Sequence, residues 1–83
     1  MRILYFALLR ERAGVAEETV SPPAEVRTVA ELVSWLRGLS PQHEAALGDP
    51  AMVRVAVNQD YARPDDPVRP DDEIAFFPPV TGG

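Results

Sequence analysis

Two stretches at opposite ends of the chain, "RILYFALL" (Arg2 to Leu9) and "EIAFF" (Glu73 to Phe77), read as strands that are apolar on both faces. In the first, alternation puts Ile3, Tyr5 and Ala7 on one side and Leu4, Phe6 and Leu8 on the other. In the last, Ile74 and Phe76 share one side, Ala75 and Phe77 the other. A strand apolar on both sides belongs in the middle of a sheet, or its second face meets something else. The first and last strands are therefore expected to pair with each other at the centre of one sheet.

The polar stretch "RERAGVAEE" predicts a turn at Gly14, and "ETVS" a short returning strand that Pro22 and Pro23 end. A helix follows. Thr28 and Glu31 have the spacing of a capping box, in which the threonine oxygen takes the third amide and the glutamate reaches back. Val29, Leu32, Val33 and Leu36 form its buried stripe, with Leu39 as a candidate fifth member. Trp35 lies off that stripe, and Gly38 stops the helix. "SPQHEAALGD" predicts a second short helix, with Ser40 as cap, Pro41 at the first position and Gly48 beyond the end. His43 has no triad partner nearby in sequence and is expected to be solvated or to serve the cap. "MVRVAVN" predicts a strand with Val53, Val55 and Val57 on one face. "NQD" turns the chain into a short strand at Tyr61 and Ala62. "RPDDPVRPDDE" is a near-repeat dense in proline and aspartate; it reads as a rigid surface loop of successive turns that supplies no core. Its four aspartates are expected to be solvated rather than to form a docking face.

The order β-β-α-β-β with one amphipathic helix gives an α+β fold, since one helix covers only one face of a sheet. A mixed sheet crossed by one main helix, with the end strands paired in the middle, is the β-grasp or ubiquitin-like arrangement. Residues 1–78 are expected to form that domain and residues 79–83 a flexible tail.

Composition narrows the function. A chain of 83 residues is one small domain. It has no cysteine and one histidine, so a structural zinc site lacks ligands. A net charge of −5 argues against a nucleic-acid surface and against unaided binding of a phosphorylated metabolite. A partner would supply those cations. No apolar run reaches bilayer-spanning length, and the start lacks the features of a secretory signal, so a cytoplasmic protein without membrane association is expected. All eight basic residues are arginine. Compositional bias explains that, but it also leaves no ε-amine to be acylated.

No glycine-rich phosphate loop, thiol or lysine nucleophile, or paired catalytic carboxylates can be found. What remains is the ending "FFPPVTGG". Pro78 and Pro79 hold the chain extended, and Gly82 and Gly83 carry no side chain next to the terminal carbon. Fully extended, Pro79 to Gly83 reaches roughly 17 Å, enough to enter a neighbour's pocket. A carboxylate there would need activation. Adenylation by ATP would give a mixed anhydride, and sulfide transfer would then give a thiocarboxylate.

"DEIAFFPPVTGG", "VAVNQ" (Val55 to Gln59) and the opening "RILYFALLRE" resemble the sulfur-carrier subunits of molybdopterin synthase, the MoaD family, over essentially the whole chain. The family commonly has Asp-Gly-Asp-Glu before the last strand, where this chain reads Pro70-Asp71-Asp72-Glu73. Asp71 at the usual glycine position would adopt a left-handed conformation at some cost. The resemblance implies that a separate ubiquitin-activating-like enzyme adenylates Gly83 with ATP. It implies that a sulfur donor then converts Gly83 to the thiocarboxylate, and that this chain binds no cofactor itself. It implies further that the tail, Pro78, Pro79, Val80, Thr81, Gly82 and Gly83, inserts into the large catalytic subunit, which holds the pterin precursor. Alternation puts Phe6 and Phe77 on the uncovered sheet face as a docking patch, and the resemblance adds Tyr61. Three other readings stand beside this one: a carrier for thiamine or tRNA thiolation, a protein modifier that forms isopeptide bonds, and a non-catalytic interaction domain.

Overall fold

The computed structural model describes residues 1–80. The elements are β1 (Arg2–Tyr5), α1 (Ala7–Ala13), β2 (Glu17–Thr19), α2 (Val29–Arg37), α3 (Pro41–Leu47), a single 3-10 turn (Pro50–Met52), β3 (Arg54–Val57), β4 (Asp60–Ala62) and β5 (Glu73–Phe77). One five-stranded sheet has the order β2-β1-β5-β3-β4. The end strands β1 and β5 pair in parallel, with Tyr5 opposite Phe76, and the other pairings are antiparallel. The mixed sheet and its centre are as the doubly apolar ends require.

The first strand is shorter than expected. β1 ends at Tyr5, and the rest of the apolar run is α1. The switch occurs at Ala7, whose φ of 52° turns the chain out of the sheet. Leu9 is then fully buried from α1, and Gly14, at φ 78°, closes that helix by donating to the Arg10 carbonyl at 2.9 Å. Gly14 is thus a helix stop rather than a hairpin turn, and the hairpin of β1 and β2 carries a helix in its connection.

The core lies between the sheet and the helices. Ile3, Tyr5, Ile74 and Phe76 project from the sheet, Val29, Leu32 and Leu36 from α2, and Ala46 and Leu47 from α3. Each fully buried large side chain contributes about 1.5–3 kcal/mol. Val33, Trp35, Val53, Val55 and Val57 pack around this cluster, half-buried. Leu39 falls beyond the Gly38 cap and is exposed, so it is not part of the stripe.

The capping box forms as read. The Glu31 amide donates to Thr28 Oγ1 at 3.2 Å, and Glu31 Oε1 accepts from the Thr28 and Arg27 amides at 3.1 and 2.9 Å. The Arg27 amide, chief among these donors, holds the Glu31 carboxyl below its usual range. The next two donors of α2 find carbonyls in the proline-aspartate loop: Val29 donates to Asp66 and Ala30 to Pro64. That loop is two copies of one turn. Asp66 and Asp72 each accept from the amide of the arginine three residues earlier, at 2.8 and 2.7 Å, and each donates its own amide to that arginine's carbonyl at 3.0 Å. Asp71 does not have a positive φ, so the turn needs no left-handed residue in place of glycine. The loop does contribute to the core, against expectation. Val68 is buried, held in place by its amide, which donates a hydrogen bond to the Arg27 carbonyl. The β3–β4 turn uses Asn58 and Gln59, both at positive φ as a type I′ turn demands. The Asn58 side chain pins that turn to the start of β5, donating to Asp72 and accepting from the Glu73 amide. Among the described residues, no helix is long and apolar enough to cross a membrane.

Candidate functional site

The helices cover the sheet face that carries Ile3, Tyr5, Ile74 and Phe76. The opposite face carries the residues that alternate with these along each strand. Pairing aligns Glu17, Leu4, Ala75, Ala56 and Tyr61 in one row across all five strands. The next row toward the tail holds Phe77 opposite Arg54. Ala56 is buried although it lies outside the core cluster. Tyr61 is 87% exposed, and its ring tilts at 51° over Phe77 with centroids 5.9 Å apart. Phe77 itself is half-buried. The outer face is therefore an open apolar strip that ends where β5 gives way to the tail.

Phe6 reaches this strip on the face its alternation suggested, although β1 ends one residue earlier. It is the residue before α1, still in an extended conformation, and its amide donates to the Phe76 carbonyl at 3.0 Å. That bond continues the parallel pairing by one step and sets Phe6 beside Phe77 in the register, with its side chain 48% exposed. Phe6, Tyr61 and Phe77 therefore lie at one end of one sheet face. Pro78 and Pro79 follow, half-buried, and Val80 is 91% exposed. Thr81, Gly82 and Gly83 lie outside the described residues.

A second polar constellation escaped the sequence reading. His43 is not solvated; it serves the cap, the other of the two expected roles, and also has a distant partner. Its Nδ1 lies 2.7 Å from Ser40 Oγ, and its Nε2 lies 2.7 Å from Glu18 Oε2. Tyr5 donates its hydroxyl to the same Glu18 oxygen at 2.6 Å. Burial, reinforced by that carboxylate, pushes the Tyr5 phenol far above its ordinary value, which keeps it a donor. The distances resemble a nucleophile triad, but Ser40 Oγ already accepts the His43 amide as the α3 cap. The network lies on the helix-covered side and ties α3 to β1 and β2. No local sequence signal announces it, because Glu18 and His43 are 25 positions apart. Its role is structural. His43→Ala leaves the Glu18 carboxylate with Tyr5 alone, so urea unfolding is expected to show a loss of about 1–3 kcal/mol with an unchanged slope. A loss below about 0.3 kcal/mol would mean that the network adds nothing.

Comparison with known proteins fits this geometry. The molybdopterin synthase sulfur carrier subunit of Escherichia coli is 39% identical over 83 residues, covering 100% of this chain and 99% of its own. Its human counterpart is 34% identical, covering 100% of this chain and 93% of its own. Among solved structures, SAMP1 of Haloferax volcanii superposes with a TM-score of 0.78 at 32% identity, covering 100% of this chain and 98% of its own. A putative molybdopterin converting factor subunit 1 of Pyrococcus furiosus gives a TM-score of 0.70 at 28% identity, covering 95% of each chain. The ThiS family model matches residues 3–83, so the match spans both end strands, the open sheet face and the terminal motif, and the chain belongs to the ThiS family.

Proposed function

We propose that this chain is the sulfur-carrier subunit of a molybdopterin synthase and has no catalytic site of its own. The observation that carries the reading is the match to sulfur carrier subunits along the full chain, at up to 39% identity. The reaction follows from the terminal chemistry. The Gly83 carboxylate attacks the α-phosphate of ATP on a separate adenylating enzyme and releases pyrophosphate. A sulfur donor then supplies sulfide, which displaces AMP and leaves a thiocarboxylate. The tail, Pro78 to Gly83, carries that sulfur into the pocket of the large subunit, where cations absent from this acidic chain hold the pterin precursor. Phe6, Tyr61 and Phe77 seat the carrier on that subunit, because an open apolar strip on a lone domain marks an interface. Residues 1–78 are the folded carrier and residues 79–83 the delivery arm, working in the cytoplasm with no nucleic-acid or membrane partner.

The likeness to SAMP1, also described as small archaeal modifier protein 1, favours a second reading as a protein modifier. Intact mass separates the two. With ATP, an adenylating enzyme and a sulfur source, the carrier reading expects a shift equal to the exchange of one oxygen for sulfur. It further expects sulfur transfer to a pterin precursor only when the large subunit is present. A ladder of conjugates on the lysines of many proteins, with no sulfur-dependent mass change, would overturn it. Chains of carrier on carrier through ε-amines are impossible in either case, since all eight basic residues are arginine.

A further inference from the structure

The outer sheet face carries two cations, and they are in different states. Arg2, at the end far from the tail, is satisfied within the chain: its Nε bonds Glu17 at 3.0 Å and its Nη1 bonds Glu73 at 3.2 Å. Arg54, at the tail end, is exposed and lies opposite Phe77 in the β3–β5 register. Among the described residues its guanidinium donates only to the carbonyl of its own neighbour, Val53, at 3.1 Å. Among the described residues no carboxylate lies within ion-pair distance of it, although the chain carries 13 acidic side chains. Its neighbours on that face are Phe77 opposite and Ala56 two residues on, with Tyr61 beside Ala56.

Seating a partner on Phe77 and Tyr61 removes water from Arg54 as well. A guanidinium desolvated without a counter-charge opposes association by several kcal/mol. The same guanidinium, met by a carboxylate, forms a paired hydrogen bond whose planar geometry fixes the register of the two surfaces. We infer that Arg54 is a specificity-determining residue of the carrier: it pairs with an aspartate or glutamate that the large subunit presents beside the mouth of the tail-binding pocket. The inference rests on the proposed seating of the outer face on that subunit. It adds a charge requirement to what is otherwise an apolar contact. That requirement discriminates among partners, because an apolar strip alone accepts any complementary apolar surface whereas an unmatched buried cation rejects it.

The test is the affinity of the full-length carrier for its large subunit, by titration calorimetry at low and high salt. Arg54→Gln removes the charge and keeps the side chain polar. It is expected to weaken the complex by about 30-fold at low salt and to flatten the salt dependence of the remaining binding. Arg54→Glu sets like charges together and is expected to weaken it further, with partial recovery when the partner's carboxylate is changed to lysine. Thermal unfolding of both free variants should match the parent, which separates a binding defect from a folding one. If Arg54→Gln binds as tightly as the parent, the ion pair does not exist. If Arg54→Gln is neutral while Phe77→Asp abolishes binding, the charge inference fails and the seating stands. If both variants bind normally, the seating itself fails and the ion pair goes with it.

Discussion

Removing Gly83, or adding one residue beyond it, is expected to abolish sulfur transfer and to leave thermal unfolding where it was. The whole chemistry of the proposed carrier sits on one carboxyl group. An added residue moves that group by roughly 3.5 Å and puts a new side chain where the pocket admits none. Such a displacement forfeits the alignment that brings the reacting atoms together, which accounts for a loss of two or more orders of magnitude in rate. Deleting Gly83 instead puts the carboxyl on Gly82 and draws it back by the same distance. Stability is untouched because the core ends earlier: Phe76 is the last fully buried side chain, and Val80 is already 91% exposed. The measurements are intact mass after adenylation and sulfuration, product formation with the large subunit, and a melting curve. A variant with an unprocessed extra residue and full activity would remove Gly83 from the reaction.

The parts of the fold that were legible in the sequence are those with a local cause. The doubly apolar ends had to be central, and β1 and β5 are neighbours there. The capping box required only residues 28 to 31, and it formed. The duplicated turn needed an aspartate three residues after each arginine, and both copies closed alike. The misread segment was Ala7 to Gly14. A run of apolar residues has no period of its own that separates strand from helix, and the switch rests on the positive φ of Ala7, which no residue type announces. Two further features depend on distant partners. Val68 is one apolar residue in a polar loop, buried because the loop folds over the start of α2. The Glu18–His43 bond joins residues 25 positions apart, so neither residue's surroundings in the sequence point to the other. Of the candidate site, Phe77 and Phe6 were both legible by alternation, because Phe6, one residue beyond β1, stays extended before α1 begins. Tyr61 entered through family resemblance and turned out to be the most exposed aromatic residue, its ring tilted over Phe77.

Phe77→Asp is expected to break the complex with the large subunit and spare the fold, whereas truncation one residue earlier strikes the fold itself. Phe76 and Phe77 are adjacent on β5 but face opposite sides of the sheet, with relative exposures that separate core from surface: Phe76 is fully buried and stacks on Tyr5 at 6.0 Å, and Phe77 is half-buried on the open face. Truncating Phe76 to alanine leaves a cavity in the core, at a cost of about 3–5 kcal/mol that a domain of this size barely tolerates. Aspartate at 77 instead puts a carboxylate at the centre of the proposed contact. Burying it there without a partner costs several kcal/mol, which corresponds to a loss of about 1,000-fold or more in affinity. In the free carrier the new carboxylate faces water and the guanidinium of Arg54, its cross-strand neighbour, so the monomer's stability should change by no more than about 1 kcal/mol. That same intramolecular pair would occupy Arg54 and deny it to the partner, which compounds the binding defect. Circular dichroism and melting of the free variant, set beside calorimetric titration of the large subunit, distinguish the two effects. Normal binding by a well-folded Phe77→Asp variant would mean that the open face is not where the large subunit docks, and the contact would then have to be made by the tail alone.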